Sequence, residues 1–253
     1  MPVLPGAEPF THDGSSTGVL LIHGFTSSPQ SLRPWAEHLA AQDMTVRLPR
    51  LPGHGTTWQE MNRTRWEDWY AAADRDFREL HERCDQVFIG GLSMGGGIAL
   101  ALAQEHGPRV SGLVLVNPAV LFKDWRVRFV PLLKNVVGGL EAIANDIKKE
   151  GVTELAYSHT PLKAGHSQLV AWKNLTRDLP EVTQPVLLLR SEEDHVIPAE
   201  SSAMVLSRIS SQDVTEIVLH DSYHVATLDN DAPRIFDESV AFIERLSSSS
   251  RDG

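Results

Sequence analysis

Short runs of consecutive aliphatic residues alternate along this chain with longer stretches whose apolar positions recur every three or four residues. The first kind suits strands buried on both faces, and the second suits amphipathic helices that cover them. Strands are expected at residues 18–22, 44–48, 86–90, 112–116, 185–189 and 214–219. Between them, residues 29–41 place Leu32, Trp35, Ala36, Leu39 and Ala40 at helical spacing, and residues 66–83 do the same with Trp66, Trp69, Tyr70, Ala73, Phe77 and Leu80. Residues 95–105 read as a small-residue helix able to pack close against strands, and 198–209 and 233–246 supply the last two crossovers. Strands joined by crossover helices imply an α/β class with a mostly parallel sheet.

One stretch breaks this rhythm. Between the strands ending at Val116 and starting at Pro185, about 65 residues intervene, far more than a usual connection, so the segment must hold structure of its own. Residues 136–149 carry Val137, Leu140, Ile143, Ala144 and Ile147 at helical spacing, and residues 168–175 suggest a second helix. The economical arrangement is one core, residues 1–120 and 181–248, with residues 121–180 as an inserted helical cap and 249–253 as a flexible tail.

Composition narrows the classes. The chain has 253 residues, 42% hydrophobic and 22% charged, which suits one globular unit with a sizeable buried core. Its 33 acidic against 23 basic residues give a formal charge of −10, a field that repels nucleic acid backbones and anionic membrane surfaces. A single cysteine, Cys84, forbids an internal disulfide and suits a reducing compartment. The N-terminus has no basic region followed by an apolar run, and no stretch approaches the roughly 20 apolar residues that span a bilayer, so a cytoplasmic protein without stable membrane insertion is expected.

The strongest chemical signal is Gly91-Leu92-Ser93-Met94-Gly95, where the buried strand through Ile89 gives way to a helix rich in Gly and Ala. A serine on such a strand-to-helix turn sits in strained geometry, and the flanking glycines remove side chains that would clash there. A serine hydroxyl is a weak nucleophile at neutral pH, so this reading requires a histidine base and an acid that orients it. Both are available in the order Ser, acid, His. Glu192, Glu193 and Asp194 follow the strand at 185–189, and His220 and His224 follow the strand at 214–219. These are carboxyl ends of strands, where open α/β sheets place their sites. The residue after the serine, Met94, would turn its backbone N–H toward an oxyanion at the positive end of the following helix.

With Leu21-Ile22-His23-Gly24-Phe25-Thr26, Leu51-Pro52-Gly53-His54-Gly55, Gly91-Leu92-Ser93-Met94-Gly95-Gly96, Glu193-Asp194-His195-Val196-Ile197-Pro198 and Ser222-Tyr223-His224-Val225 in that order, the chain resembles the α/β-hydrolase superfamily. Within it the likeness is to bacterial carboxylesterases and monoacylglycerol lipases with a small cap, and it runs over nearly the whole chain. The resemblance implies Ser93 as nucleophile, Asp194 as orienting acid, His224 as general base, and Phe25 as the second oxyanion donor beside Met94. His195 then falls outside the reacting set, and His23 and His54 read as residues that shape their own loops. Epoxide hydrolases and dehalogenases share the fold but need a carboxylate at the elbow, where this chain has Ser93.

The implied reaction is hydrolysis of short- to medium-chain carboxyl esters, including monoacylglycerols, through an acyl-enzyme and without metal or organic cofactor. Phe25, Met94, Leu121, Phe122, Trp125 and Phe129 are candidates for the acyl pocket, against the plainer alternative of ordinary packing. Lys123, Arg126, Arg128 and Lys134, interleaved with apolar residues, suit either transient contact with a lipid surface or a solvated face. Acyl transfer to an alcohol, perhydrolysis, cleavage of a carbon–carbon bond, and a silent ligand-binding version of the fold are the alternatives.

Overall fold

In a computed structural model of the chain, which describes residues 2–123, 138–141 and 145–249, the six expected strands and a short edge strand form one seven-stranded sheet. Its strands are β1 (Phe10–His12), β2 (Thr17–Ile22), β3 (Thr45–Leu48), β4 (Gln86–Leu92), β5 (Gly112–Val116), β8 (Val186–Ser191) and β9 (Val214–Leu219), in the order β1-β3-β2-β4-β5-β8-β9. All neighbours are parallel except β1, which runs antiparallel along the β3 edge. The strand order reverses between β2 and β4, and a crevice at such a reversal is where open α/β sheets bind their ligands.

Helices α1 (Arg33–Ala41), α3 (Trp66–Arg83), α4 (Met94–His106), α6 (Glu200–Arg208) and α7 (Ala232–Ser249) cover the sheet, and α2 (Trp58–Met61) is a single turn capped by the Thr57 hydroxyl. Alternation along β2 feeds two separate cores. Leu20 and Ile22 join Trp66, Trp69, Phe77 and Ile98 on one face, while Val19 and Leu21 join Trp35, Leu39, Ile235 and Ile243 on the other. Complete burial of each such side chain contributes about 1.5–3 kcal/mol, which makes both faces strict about register. Helix α7 continues through Ser249, the first residue of the expected tail, and residues 250–253 lie outside the described residues.

The long insertion lies between β5 and β8. Its described part holds a two-stranded antiparallel ribbon, β6 (Gly139–Glu141) with β7 (His159–Pro161), and helix α5 (Leu162–Arg177). The helix expected at 168–175 is therefore real and begins earlier. The helix expected at 136–149 is not formed where it can be seen: residues 139–141 are a strand and 145–148 are irregular, the rest of that range lying outside the described residues. Gly138 and Gly139 disfavour a helix there, and pairing with β7 satisfies the backbone instead. The cap is thus part ribbon, not wholly helical.

Candidate active site

Ser93 sits between β4 and α4 with φ 55° and ψ −118°, a region most side chains avoid. Its surroundings enforce this. A Cβ on Gly91 would lie 2.3 Å from the Gly95 carbonyl carbon, and one on Gly95 would lie 1.9 Å from the Ile22 oxygen. Ser93 N–H donates to the Val116 carbonyl (3.0 Å), and the Ser93 carbonyl accepts from Gly96, Gly97 and Ala119. The strain is thus held by an elbow with no room to relax.

The candidate base and acid meet on neighbouring loops. His224 Nδ1 lies 2.7 Å from Asp194 Oδ2, with both side chains under a tenth exposed. Asp194 Oδ1 accepts from the backbone N–H groups of Val196 (2.8 Å) and Ile197 (2.7 Å), so the carboxylate is aimed by its own turn. Burial works against the Asp194 charge, but His224 and those two N–H groups hold its carboxyl below the usual range. Burial likewise opposes a charged His224, yet the Asp194 charge and hydrogen bond, with Glu154 and Asp146 behind, keep the imidazole above its ordinary value. With Nδ1–H donated to Asp194, Nε2 is left as the acceptor a serine proton needs.

The competing candidates point elsewhere. Glu192 pairs with His220 at 2.8 Å, both largely exposed, and Glu193 faces His195 Nε2 at 3.3 Å. His23 is fully buried, with Nδ1 3.0 Å from the Gly24 carbonyl and Nε2 accepting from Leu51 N–H at 3.2 Å. Burial drives its pKa down to about 4, so it stays neutral and braces the 24–27 loop against the 51–55 loop. His54 is also buried and shifted well down, its ring edge-on to Trp69 and His23.

Two observations bring the elbow and the base loop together. Val116 accepts the Ser93 N–H, and the next residue, Asn117, donates through Nδ2 to the His224 carbonyl (2.8 Å) and to Ser191 Oγ (3.0 Å). Ser93 and His224 are therefore anchored to consecutive residues at the end of β5. On the other side, the 24–27 loop closes on the serine: a Cβ on Gly24 would lie 3.5 Å from Ser93 Cβ. Met94 opens α4, so its N–H belongs to the first turn, where helices leave donors unpaired. Phe25 is the residue after Gly24 in the facing loop, and the two N–H groups are the candidate oxyanion donors.

The family described as Serine aminopeptidase, S33, matches residues 15–231, a span that contains every one of these residues. The chain belongs to this family of α/β-hydrolases. It is 41% identical over 251 residues to a thermostable monoacylglycerol lipase of Bacillus sp. (strain H-257), covering 96% of this chain and 97% of the relative. It is 24% identical to a carboxylesterase of Bacillus subtilis (strain 168), over 94% of this chain and 97% of the relative. Among solved structures it matches one described under LipS and LipT, two metagenome-derived lipolytic enzymes, with TM-score 0.94 and 41% identity, covering 96% of this chain and 100% of the other.

In this hydrolase both core residues and residues of the insertion surround the pocket candidates. The Phe25 ring packs edge-on to Trp69 at 5.7 Å and faces Gly165 of α5, and Met94 is fully buried in the core. Leu121 is half-buried, while Phe122 is 42% exposed with its ring 5.4 Å from that of Trp172. Trp125 and Phe129 lie outside the described residues. No helix among the described residues is long and apolar enough to cross a membrane.

Several residues that organise the site left no motif. Glu154, in the stretch between the two ribbon strands, lies against the Ser27 hydroxyl and within the field of His224; burial pushes its carboxyl up. Asp229, 1% exposed, accepts from the backbone N–H groups of Lys148, Lys149, Tyr223 and Asn230. Asn117 was the most legible of them, since an Asn-Pro pair directly after a strand marks a special turn, and its φ is 43°.

Proposed function

We propose that this hydrolase cleaves short- to medium-chain carboxylic esters, monoacylglycerols among them, through an acyl-enzyme on Ser93. The observation that carries the reading is the buried Asp194–His224 pair at 2.7 Å, tied through Asn117 to the same strand end as a strained Ser93. His224 Nε2 takes the Ser93 proton as Oγ attacks the ester carbonyl, and the Phe25 and Met94 N–H groups hold the oxyanion. The imidazolium, stabilised by Asp194, then protonates the departing alcohol. Water attacks the acyl-enzyme with its proton passing to the same Nε2, and the carboxylic acid leaves as Ser93 regains its proton.

Substrate choice is assigned to residues 121–180, acting as a lid over the core. Phe25, Met94, Leu121 and Phe122, with Trp125 and Phe129, are the proposed acyl walls. Glu154, beside the Ser27 hydroxyl and within the field of His224, is a polar group of the insertion that the hydroxyls of a glycerol leaving group could meet. The similarity to a monoacylglycerol lipase over nearly the whole of both chains supports the glycerol ester over other esters. A cytoplasmic location is supported by the single cysteine, which suits a reducing compartment.

The test is kcat/KM for monoacylglycerols of graded chain length beside simple alkyl esters of the same acids, with Ser93→Ala as blank and an aminoacyl arylamide as the peptidase arm. Preference for the glycerol esters at matched chain length is expected. Faster cleavage of the arylamide, or substantial turnover by folded Ser93→Ala, would overturn the reading.

A further inference from the structure

Residues 145–157 cross the site as an irregular strap with an anchor at each end. At the far end, the Tyr157 hydroxyl accepts from Thr56 N–H (2.8 Å) and donates to the Gly53 carbonyl (2.7 Å), and Tyr157 N–H donates to the Thr26 carbonyl beside Phe25. At the near end stands Asp146, whose side chain is 9% exposed and which touches both the acid loop and the base loop. Asp146 Oδ2 accepts from the backbone N–H of His224 (3.1 Å) and of His195 (3.2 Å). Its Oδ1 lies 2.8 Å from His195 Nδ1, and its carbonyl accepts from Val225 N–H at 3.1 Å.

We infer that Asp146 is a positioning residue for the reaction, one carboxylate that fixes the backbone under the base and the backbone directly after the acid. The inference rests on the Ser93, His224 and Asp194 reading above. Asp194 holds the imidazole at Nδ1, but a ring held only there can still pivot with its main chain; the Asn117 bond fixes the His224 carbonyl, and the Asp146 bond fixes its N–H. An error of about 1 Å in a reacting group can cost on the order of 10²-fold in rate. The charge acts in the same direction, since an anion beside the imidazole favours the imidazolium that forms as Ser93 attacks. The groups that face His224 are Asp194, Glu154 and Asp146, and those that face Asp146 are the His195 ring, with Glu193 behind it. The Asp146 contacts hold the His195 imidazolium above the ordinary histidine range, so a cation partly offsets this anion in mild acid.

Two variants separate positioning from mere support. In Asp146→Asn, kcat should fall on the order of 10- to 100-fold with KM little changed, and the acidic limb of kcat/KM should move to lower pH because an anion near the base is gone. In His195→Ala, where a cation is removed and Asp146 stays, the limb should move the opposite way, to higher pH. Asp146→Asn that is folded by circular dichroism yet keeps wild-type kcat and the wild-type limb overturns the inference, as does a rise in KM at unchanged kcat. If Asp146→Asn does not fold, an unmoved limb in His195→Ala overturns it by itself. Wild-type protein that cleaves no ester overturns the esterase reading, whereas active wild type beside an unaltered Asp146→Asn overturns this inference alone.

Discussion

The elbow around Ser93 takes its shape from glycines two positions to either side, whereas the loop around His224 takes its shape from the carboxylates of Asp229 and Asp231 just downstream and of Asp146 in the insertion. At the elbow the controlling force is repulsion: strand and helix converge until no Cβ fits at Gly91 or Gly95. In the base loop it is attraction, with carboxylates collecting N–H groups that would otherwise be buried unpaired. Steric control is local and short, while hydrogen-bond control reaches across the chain and ties the cap to the core. A candidate nucleophile can therefore be written in five consecutive residues while the candidate base beside it is supported from an inserted segment.

The comparison breaks most sharply at Gly95. Gly95→Ala puts a methyl 1.9 Å from the Ile22 oxygen, against backbone that cannot swing aside. It should lower stability by about 3 kcal/mol or more and abolish labelling of Ser93 by a fluorophosphonate, read by thermal melting and by mass. Retained labelling at wild-type rate would show that the elbow tolerates what its geometry forbids.

Asp229→Ala attacks the other region. Four backbone N–H groups lose an acceptor, at about 1 kcal/mol for each bond not replaced by water, so a loss of about 2–3 kcal/mol is expected together with reduced kcat. The elbow is untouched, and Ser93 should remain in its strained conformation. A variant with wild-type melting temperature and kcat would mean that Asp229 does not hold the base loop.

A pH profile sharpens the contrast without mutation. His224 must be neutral to accept the Ser93 proton, and its environment raises its pKa above the ordinary 6.5, so kcat/KM should climb with pH through a limb lying above 6.5. A limb below that value would contradict the carboxylates arrayed around the ring. The smallest effect belongs to a residue in neither region. Cys84, buried beside Gly18 at the far end of α3, should tolerate Cys84→Ser with about 1 kcal/mol lost and turnover nearly unchanged.

Legibility followed the range of the forces. Strands β2, β4, β5 and β8 were evident as largely apolar runs, β3 and β9 as shorter ones interrupted by Arg47 and by Thr215-Glu216, and α3 because Trp66, Trp69, Ala73, Phe77 and Leu80 trace one buried stripe. The edge strand β1 and the four-residue α2 are too short to show a period. In the cap, the spacing of Val137, Leu140, Ile143, Ala144 and Ile147 suggested a helix, but pairing of residues 139–141 with His159–Pro161 overrode it. Propensity is a weak prior where a distant segment offers hydrogen bonds.

By itself the sequence determined the α/β class, the sheet's strands and the elbow, because hydrophobic period and steric exclusion act between residues a few positions apart. It also narrowed the acid to three neighbours and the base to two histidines. Only the tertiary structure decided that Asp194, and not Glu192 or Glu193, lies against His224, and that Asn117, Asp146, Glu154 and Asp229 surround the base. Those choices rest on hydrogen bonds between residues as much as 107 positions apart, and contacts of that range leave no period in the chain.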